Sequence, residues 1–378
     1  MVALVGSLQW GTTCPSRPPG GAPVDVTPTC WVEISCAAFA RNVRHAQTTL
    51  AHDAQLMIAV KSDAYGHGEK EMAQAAMAAG ADCLAVLDID TGHRLRPHAS
   101  DALLLAWLLS PSDDFTLARE ASLDLGISAL WQLEKLEREV PGAATSIHLK
   151  IDTGLHRNGA LAELWPALCE RAGELEKTGT VRVVGIWSHL ADTSIADTKA
   201  ALELFHSAVE RARGLGLRPT MLHIAASAAA TDIPESRLDI VRVGISAYGV
   251  SPFSDRSATD LGFEPVMVPR ALIVEIDQKA LTARVGMGFG DGLLTIPENT
   301  GWVSRDSEKL ALRYVDVDHV VVSLPRGSRA AVGDTITLWG EPHKGTPRAE
   351  DWAQWAGTIG DEIVASMGPD VERRFSRD

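Results

Sequence analysis

The 378-residue chain is 46% hydrophobic and 22% charged, a composition typical of a soluble globular protein large enough for two domains. Its formal net charge of -14 argues against nucleic acid or an anionic membrane surface as a partner, because both are bound through clustered Lys and Arg. We therefore expect a small-molecule ligand. Five cysteines without CxxC spacing fit neither a disulfide framework nor a zinc site, so a reducing, cytoplasmic location is expected.

The N-terminal segment, residues 1–28, is expected to form a disordered tail. It contains the run PSRPPGG at residues 15–21, which cannot hold a helix or a strand, and it lacks the basic n-region of a secretory signal. No apolar run in the chain approaches the roughly 18 residues that a membrane-spanning helix needs. We therefore expect no membrane segment.

From Trp31 onward, apolar strand-like runs alternate with amphipathic helical runs. Ser35 is placed to cap a helix over residues 37–50. The strand-like runs lie at residues 31–34, 56–60, 83–87, 102–108, 124–127, 146–151, 181–188, 221–224 and 240–243. Such alternation predicts parallel strands, and eight strand–helix units close naturally into a (β/α)8 barrel. The predicted fold class is thus α/β, with a TIM-like barrel domain over residues 29–265.

After residue 265 the pattern changes to short β-rich segments separated by turns. These segments lie at residues 271–276, 283–286, 310–315, 319–324 and 334–339. Residues 266–378 are therefore predicted to form a smaller, β-rich C-terminal domain, with a helix after Ala349.

A lysine ends the second strand-like run. Residues 60–68 read VKSDAYGHG, so Lys61 follows an apolar strand and precedes a glycine-containing loop. Burial lowers the pKa of a lysine and frees its amine to form an imine, and barrel enzymes keep their chemistry at the C-terminal ends of the strands. The alternative is a lysine whose apolar stem is buried while its ammonium group reaches water.

This segment resembles the cofactor-lysine motif of the alanine racemases, V-K-x-[DN]-A-Y-G-H-G. The resemblance implies pyridoxal 5'-phosphate (PLP) as the cofactor, Lys61 as its Schiff-base lysine and Tyr65 as a phosphate ligand. The likeness extends from Trp31 to Phe253 and weakens sharply afterwards.

A second motif follows the strand-like run at residues 146–151. Residues 150–159 read KIDTGLHRNG, similar to the family's K-x-D-T-G-x-x-R-x-G. The resemblance implies that Arg157 bonds to the phenolic oxygen of the cofactor and that Lys150, often carbamylated in the family, braces it. A carbamate would give the guanidinium the carboxylate-like partner that its planar fork prefers. From the residues alone, Lys150 and Asp152 could equally form an ordinary ion pair on a strand.

Two shorter segments add candidate cofactor ligands. His189, in GIWSHLA, occupies the position of the family's cofactor-ring histidine, although a lone histidine is by itself most often structural. Residues 223–228, HIAASA, resemble the family's H-x-x-N-S-A, with Ser227 as a hydroxyl donor to phosphate and Ala226 in place of the asparagine. Without the likeness, this run of small residues indicates helix packing.

The last barrel motif is VRVGISAYG at residues 241–249, similar to the family's V-R-x-G-I-x-x-Y-G. The likeness implies that Arg242 faces the pyridine nitrogen and that Gly244 and Ile245 offer backbone N–H groups to phosphate, as phosphate sites after the last barrel strands commonly do. Because arginine stays protonated, it donates to that nitrogen without protonating it, which leaves the ring a weaker electron sink. An arginine in a strand-end ion pair is the alternative.

The C-terminal region departs from the family where a racemase needs its second base. The family supplies the base opposite the cofactor lysine from an S-Y-G-x-x-Y hairpin of the partner subunit, whereas residues 271–285 read ALIVEIDQKALTARV, a tight turn without tyrosine. Tyr314 is the only tyrosine of the β-rich region and is the candidate second catalytic residue, with His319 and Asp318 as nearby alternatives. A phosphate tyrosine expected in the family's S-Y-R-V-P-R falls on Met367.

Retained cofactor contacts and a missing second base leave three hypotheses open. The first is a racemase or epimerase acting at the Cα of an amino acid with a substituted second base. The second is a one-base PLP enzyme of the same fold that performs β-elimination or replacement, retro-aldol cleavage or decarboxylation, and the third is a PLP-binding homologue without turnover. The resemblance also implies a head-to-tail homodimer, and the shortened hairpin predicts a pocket that accepts a substrate larger than alanine.

Overall fold

The computed structural model describes residues 28–100, 102–191 and 194–376. The predicted N-terminal tail, up to residue 27, lies outside these ranges. The strands are β1 (Cys30–Ser35), β2 (Gln55–Ala59), β3 (Cys83–Val86), β4 (Leu103–Ala106), β5 (Asp124–Ile127), β6 (Thr145–Lys150), β7 (Val181–Trp187), β8 (Met221–His223), β9 (Ile240–Val243), β10 (Met267–Asp277), β11 (Thr282–Val285), β12 (Trp302–Arg305), β13 (Glu308–Val315), β14 (Val320–Ser323), β15 (Thr335–Thr337) and β16 (Glu372–Ser376).

The helices alternate with the strands as far as β9 and return near the C-terminus. They are α1 (Cys36–Ala46), α2 (Lys61–Gly66), α3 (Glu69–Ala79), α4 (Ile89–Leu95), α5 (Phe115–Glu120), α6 (Leu130–Glu139), α7 (Trp165–Lys177), α8 (Ile195–Gly214), α9 (Ser227–Asp232), α10 (Ala349–Ala356) and α11 (Gly360–Ala365). Ser35 caps α1 as predicted, since its hydroxyl accepts the backbone N–H of Ala38 at 3.1 Å. No helix of the described ranges is long and apolar enough to cross a membrane.

The first sheet is a barrel of eight strands in the order β8-β7-β6-β5-β4-β3-β2-β9. Its paired strands run parallel. Backbone hydrogen bonds from Asp239 to Leu222 at 2.9 Å and from Arg242 to Ala225 at 3.2 Å join the β8 and β9 regions and nearly close the ring. The predicted TIM-like barrel is confirmed, and its strand ends bring the candidate motifs together.

β1 differs from the prediction, because it is not a barrel strand. It pairs antiparallel with β10 and parallel with β16 in the second sheet, although residues 29–265 were assigned to the barrel. Its burial alternates, with Val32 and Ile34 fully buried between more exposed neighbours, whereas barrel strands are buried on both faces. The sequence pattern of βα alternation does not reveal which sheet an additional strand joins.

The second sheet has the order β11-β14-β13-β12-β15-β10-β1-β16 and confirms the predicted β-rich C-terminal region. β10 and β11 form an antiparallel hairpin with a tight turn, as the sequence indicated. Asp277 closes that turn, because its carboxylate accepts the backbone N–H groups of Lys279 and Ala280 at 2.8 and 2.9 Å. β12 and β16 were not predicted.

Candidate active site

The backbone after β2 takes an unusual path that sets the position of Lys61. Residues 62–65 all have positive φ, between 52 and 54°, so α2 is a single left-handed turn. This conformation costs non-glycine residues roughly 1–2 kcal/mol each, and surrounding contacts must maintain it. The His67 ring nitrogen Nδ1 donates to the carbonyls of Ala64 and Tyr65 at 3.0 and 2.9 Å, and Asp63 accepts the N–H of Glu69 at 2.8 Å.

A cavity of about 1090 Å³ opens where the barrel strands end. The residues that the sequence predicted to hold the cofactor all line it: Lys61, Tyr65, Lys150, Arg157, His189, Ser227, Arg242, Gly244 and Ile245. Motifs separated by up to 184 positions in the chain, from Lys61 to Ile245, thus meet in one place because parallel barrel strands end at the same face. Tyr314, the predicted second catalytic residue, does not line this cavity within the described ranges.

Lys61 lines the cavity beside Tyr65. Its ammonium nitrogen is 5.2 Å from the centroid of the Tyr65 ring. Burial lowers the pKa of Lys61; the negative charge of Asp361 opposes this effect and the guanidinium of Arg157 reinforces it. The lysine is therefore easier to deprotonate than an exposed lysine and better suited to act as a nucleophile or a base.

Lys150 is buried at the end of β6, with Nζ 4.3 Å from the centroid of the Trp187 ring. Burial, together with the positive charges of Arg242 and Arg157, lowers the pKa of Lys150 to about 7. Asp152 accepts the backbone N–H groups of Gly154 and His156 at 2.9 and 3.1 Å, so this carboxylate shapes the loop that carries Arg157. The ordinary ion pair considered from the sequence is not the main role of Asp152.

Arg242 is buried in the centre of the site, 3% exposed. It donates to the carbonyls of Ser188 and Ile224 at 2.7 and 3.0 Å and to Nδ1 of His189 and His223 at 3.2 and 3.0 Å. Because arginine only donates, both histidines accept through Nδ1 and keep their proton on Nε2. Burial and the neighbouring guanidinium hold the pKa values of both histidines well below the usual range, so both rings are neutral.

The hydrogen bonds continue from His223 across the barrel. Its Nε2 donates to Nδ1 of His148 at 2.9 Å, and Nε2 of His148 donates to Asp124 at 3.0 Å. Gly185 leaves the space that His148 occupies, since a Cβ at Gly185 would overlap the imidazole ring. This series of hydrogen bonds, from Asp124 through His148 to His223, fixes the orientation of the Arg242 guanidinium.

Hydroxyl and amide donors gather beside Lys61. The backbone N–H of Gly244 donates to Oγ of Ser227 at 3.4 Å, and a Cβ at Gly244 would collide with the Tyr65 hydroxyl. Burial raises the pKa of Tyr65, so its hydroxyl stays protonated and able to donate. Ser227 also begins α9, and the cluster of Tyr65, Ser227, Gly244 and Ile245 is suited to an anionic group.

The sequence analysis missed several residues of the cavity wall. Trp107 and Trp187 stack with their centroids 5.8 Å apart, and Asp361 enters the cavity from α11. Trp187 lies inside the His189 motif, so its place in the cavity wall could have been predicted from the sequence. No motif contains Asp361. Met367, where the resemblance placed a phosphate tyrosine, is buried and does not line the cavity in the described part of the chain.

The candidate residues of the β-rich domain lie apart from this cavity. Tyr314, on β13, is 38% exposed, and its ring centroid is 6.5 Å from that of His319. His319 Nδ1 lies 2.6 Å from the Asp318 carboxylate. These side chains form a small polar group on the surface of the second sheet.

Comparison with known proteins identifies the family. Residues 34–252 match the family model of the alanine racemase N-terminal domain, and residues 272–375 match that of the alanine racemase C-terminal domain. The alanine racemase of Beutenbergia cavernae is 35% identical over 367 residues, which cover 90% of this chain and 96% of that protein. The alanine racemase of Streptomyces coelicolor is 36% identical over 376 residues, 91% of this chain and 95% of that protein.

Solved structures agree with these matches. The crystal structure of alanine racemase from D-cycloserine-producing Streptomyces lavendulae has a TM-score of 0.88 and 32% identity, and the match covers 93% of this chain and 98% of that one. The Streptomyces coelicolor structure also has a TM-score of 0.88, at 34% identity and the same coverage. The chain belongs to the alanine racemase family of PLP enzymes.

Enzymes of this family use PLP, and the cavity fits that cofactor. Lys61, with its lowered pKa, is available for the covalent linkage. The donor cluster beside it, which a Cβ at Gly244 would fill, suits the phosphate, and buried Arg242 suits the ring nitrogen. The resemblance inferred from the barrel motifs thus extends over both domains, beyond the limit at Phe253 set from the sequence.

Proposed function

We propose that the protein is an amino-acid racemase or epimerase that uses Lys61 as one of its two bases at the substrate Cα. The observation that carries this proposal is the convergence of every predicted cofactor ligand, Lys61 included, on one cavity. PLP, when bound, withdraws electrons from Cα and so acidifies its C–H bond. The chain's own residues must then hold the substrate and move the proton.

The side chains that line the cavity divide these tasks. Lys61, with its lowered pKa, accepts the Cα proton of one enantiomer on its face of the substrate and, in the reverse direction, donates a proton there. The second base does the same on the opposite face. Arg157 and Lys150 orient the phenolic-oxygen side of the cofactor, and Tyr65, Ser227, Gly244 and Ile245 hold its phosphate. Arg242 is kept in place by two neutral histidines and donates to the ring nitrogen without transferring a proton to it.

The substrate is proposed to be larger than alanine. The turn between β10 and β11 is tight, so no long hairpin is available to fill the cavity mouth of a partner subunit. The cavity of about 1090 Å³ leaves room beyond the cofactor. Head-to-tail dimerisation and a cytoplasmic site of action belong to the same proposal.

The test is incubation of the PLP-loaded protein with a panel of single-enantiomer amino acids in D2O, followed by mass spectrometry and chiral chromatography. We expect deuterium at Cα together with loss of optical activity for at least one amino acid. Lys61→Ala should abolish both, whereas Lys70→Ala, which removes an exposed lysine of α3, should retain both. Failure of every amino acid to exchange its Cα proton would refute the proposal.

The second candidate function is a one-base PLP reaction, namely elimination, replacement, retro-aldol cleavage or decarboxylation. It is favoured by a specific observation: Tyr65 is the only tyrosine among the described residues that line the cavity. The same panel separates the two functions, since a one-base enzyme yields a product that is not an isomer of the substrate.

Substitution of Tyr314 provides a second test that separates the racemase from the one-base enzyme. As the second base of a racemase, Tyr314 would act in the cavity of a partner subunit, because it does not line its own. Tyr314→Phe should then lower the racemisation rate by about 100-fold or more, while deuterium exchange through Lys61 on one face persists. An unchanged rate would exclude Tyr314 as the second base.

A further inference from the structure

Helix α11 brings a carboxyl group from the C-terminal domain into the barrel cavity. Asp361, in the first turn of α11, lines the cavity together with Lys61 and Tyr65. The helix fits closely against the left-handed turn, because a Cβ at Gly66 would lie 2.6 Å from the Val364 carbonyl oxygen. The position of Asp361 relative to Lys61 is therefore set by backbone packing.

The other carboxylates of the cavity wall already have partners. Glu350 accepts the backbone N–H groups of Ser251 and Ala258 at 3.0 and 3.2 Å. Asp351 pairs with Arg348 at 2.8 Å, Asp260 accepts from Ser257, and Asp255 is exposed beside Arg256. Among the described residues, no other side chain hydrogen-bonds to the carboxyl group of Asp361.

The surroundings of Asp361 favour its neutral form. Burial raises the pKa of Asp361, and the Lys61 amine and a hydrogen bond from the backbone N–H of Asp361 itself oppose this effect without cancelling it. Tyr65 on the turn also interacts electrostatically with Asp361, and the same cavity is lined by Arg157 on the loop after β6 and by Arg348, Glu350 and Asp351 at the start of α10.

A bound phosphate would favour the neutral form further. Asp361 is electrostatically coupled to Tyr65, which belongs to the donor cluster with Ser227 and Gly244. An ionised carboxylate beside a phosphate is repelled, whereas a protonated carboxyl group gains an O–H donor that the phosphate can accept.

We propose that Asp361 is a neutral carboxylic acid in the PLP-loaded protein and donates a hydrogen bond from the C-terminal domain to the cofactor's phosphate. This contact takes the place of the tyrosine that the resemblance located at Met367, which does not reach the cavity. The inference rests on PLP binding but not on which reaction the enzyme performs. PLP affinity then depends on a proton, and it falls about tenfold for each pH unit above the pKa of Asp361.

The test compares binding of PLP with binding of pyridoxal, which lacks the phosphate. Apo-protein is titrated with each compound between pH 6 and 9.5, and the visible absorbance of the bound cofactor gives Kd. The proteins are wild type, Asp361→Asn, which keeps a neutral donor at all pH values, and the matched control Glu362→Gln, which neutralises the adjacent exposed carboxylate.

We expect the PLP Kd of wild type and Glu362→Gln to rise as the pH passes the pKa of Asp361, and Asp361→Asn to bind PLP at least tenfold more tightly than wild type from one pH unit above that pKa. Pyridoxal should show no such difference. Equal PLP affinities of wild type and Asp361→Asn at every pH would overturn the proposal. An equal change in the Kd of pyridoxal on substitution of Asp361 would also overturn it, because it would mean that Asp361 acts on Lys61 alone.

Two further measurements keep the result unambiguous. Should Asp361→Asn fail to fold, Asp361→Ser supplies a small neutral donor for the same comparison. A wild type without any PLP absorbance band would contradict the proposed function itself. In that case the 31P NMR shift of added PLP, measured against pH, reports the phosphate contact. The transition that Asp361 causes in wild type should be missing in Asp361→Asn, and its persistence there overturns the proposal.

Discussion

At the scale of single residues, burial shifts the pKa values of several cavity side chains towards their neutral forms. Burial is the main reason why Lys61 and Lys150 have lowered pKa values, and neighbouring guanidinium groups add to it. His189 and His223 remain neutral for the same reason, and each accepts a hydrogen bond from Arg242. Arg242 keeps its positive charge while the two histidines beside it are neutral.

His67 provides a prediction about acid stability. Burial lowers the pKa of His67 from 6.5 to about 4. Between those pH values the unfolded chain takes up a proton that the folded chain does not, so stability present at pH 7 is lost as pH falls through 6.5 towards 4. The contribution is about 3 kcal/mol at pH 4, from 1.36 kcal/mol per pKa unit.

The measurement is urea unfolding of the apo-protein at pH 7, 5.5 and 4.5. His67→Gln should lose the share of the acid-induced fall in the free energy of unfolding that His67 contributes, while the share from His189 and His223 remains. His206→Gln, which changes an exposed histidine of α8, should keep the wild-type slope. Parallel slopes for all three proteins would contradict the assignment of this acid sensitivity to His67.

At the scale of secondary-structure elements, the left-handed turn α2 is the least expected feature of the fold. It directs Lys61 and Tyr65 into the same cavity, and it is maintained by His67 from within and by α11 from the C-terminal domain. Strained backbone at a functional site is commonly maintained by surrounding contacts in this way.

Substitution of Ser62 by glycine tests this strain. Ser62 is exposed and has φ of 54°, so Ser62→Gly removes an unfavourable Cβ without removing a buried contact. We expect the free energy of unfolding to rise by up to about 1 kcal/mol. Ser207→Gly, at an exposed position of the right-handed helix α8, should instead lower it by about 0.5 kcal/mol. Thermal unfolding that gives the same sign for both variants would argue against strain at Ser62.

At the scale of the whole molecule, the second domain carries exposed apolar side chains near its polar surface group. Phe289 and Val317 are 48% and 51% exposed, and their segments are joined by a hydrogen bond from the Gly290 N–H to the Val317 carbonyl at 2.7 Å. Adjacent exposed apolar side chains of this kind favour contact with another protein surface. They fit the proposed head-to-tail dimer.

Sedimentation velocity tests this prediction. Wild type should sediment as a dimer, and Phe289→Glu should shift the equilibrium towards monomer at micromolar concentration because a charge is costly to bury. Val332→Glu, at another exposed apolar position of the same domain, should remain dimeric. A monomeric wild type would contradict the dimer.

The sequence by itself determined the barrel and the motifs whose side chains line its cavity. Continuous apolar runs alternating with amphipathic ones specify parallel strands, and the motifs at their ends specify which side chains meet, because all such strands end at one face. The tight β10–β11 turn could also be predicted, because it is closed by local hydrogen bonds from backbone N–H groups to the Asp277 carboxylate. These features depend on short stretches of chain.

Only the tertiary structure decided the features that join distant segments. β1 belongs to the second sheet through its pairing with β10 and β16, and Asp361 reaches the cavity because α11 packs on α2. No local pattern encodes either contact, as each depends on where a separate domain lies. The left-handed conformation of residues 62–65 is also not encoded locally. It is intrinsically unfavourable and persists through contacts made by His67 and α11.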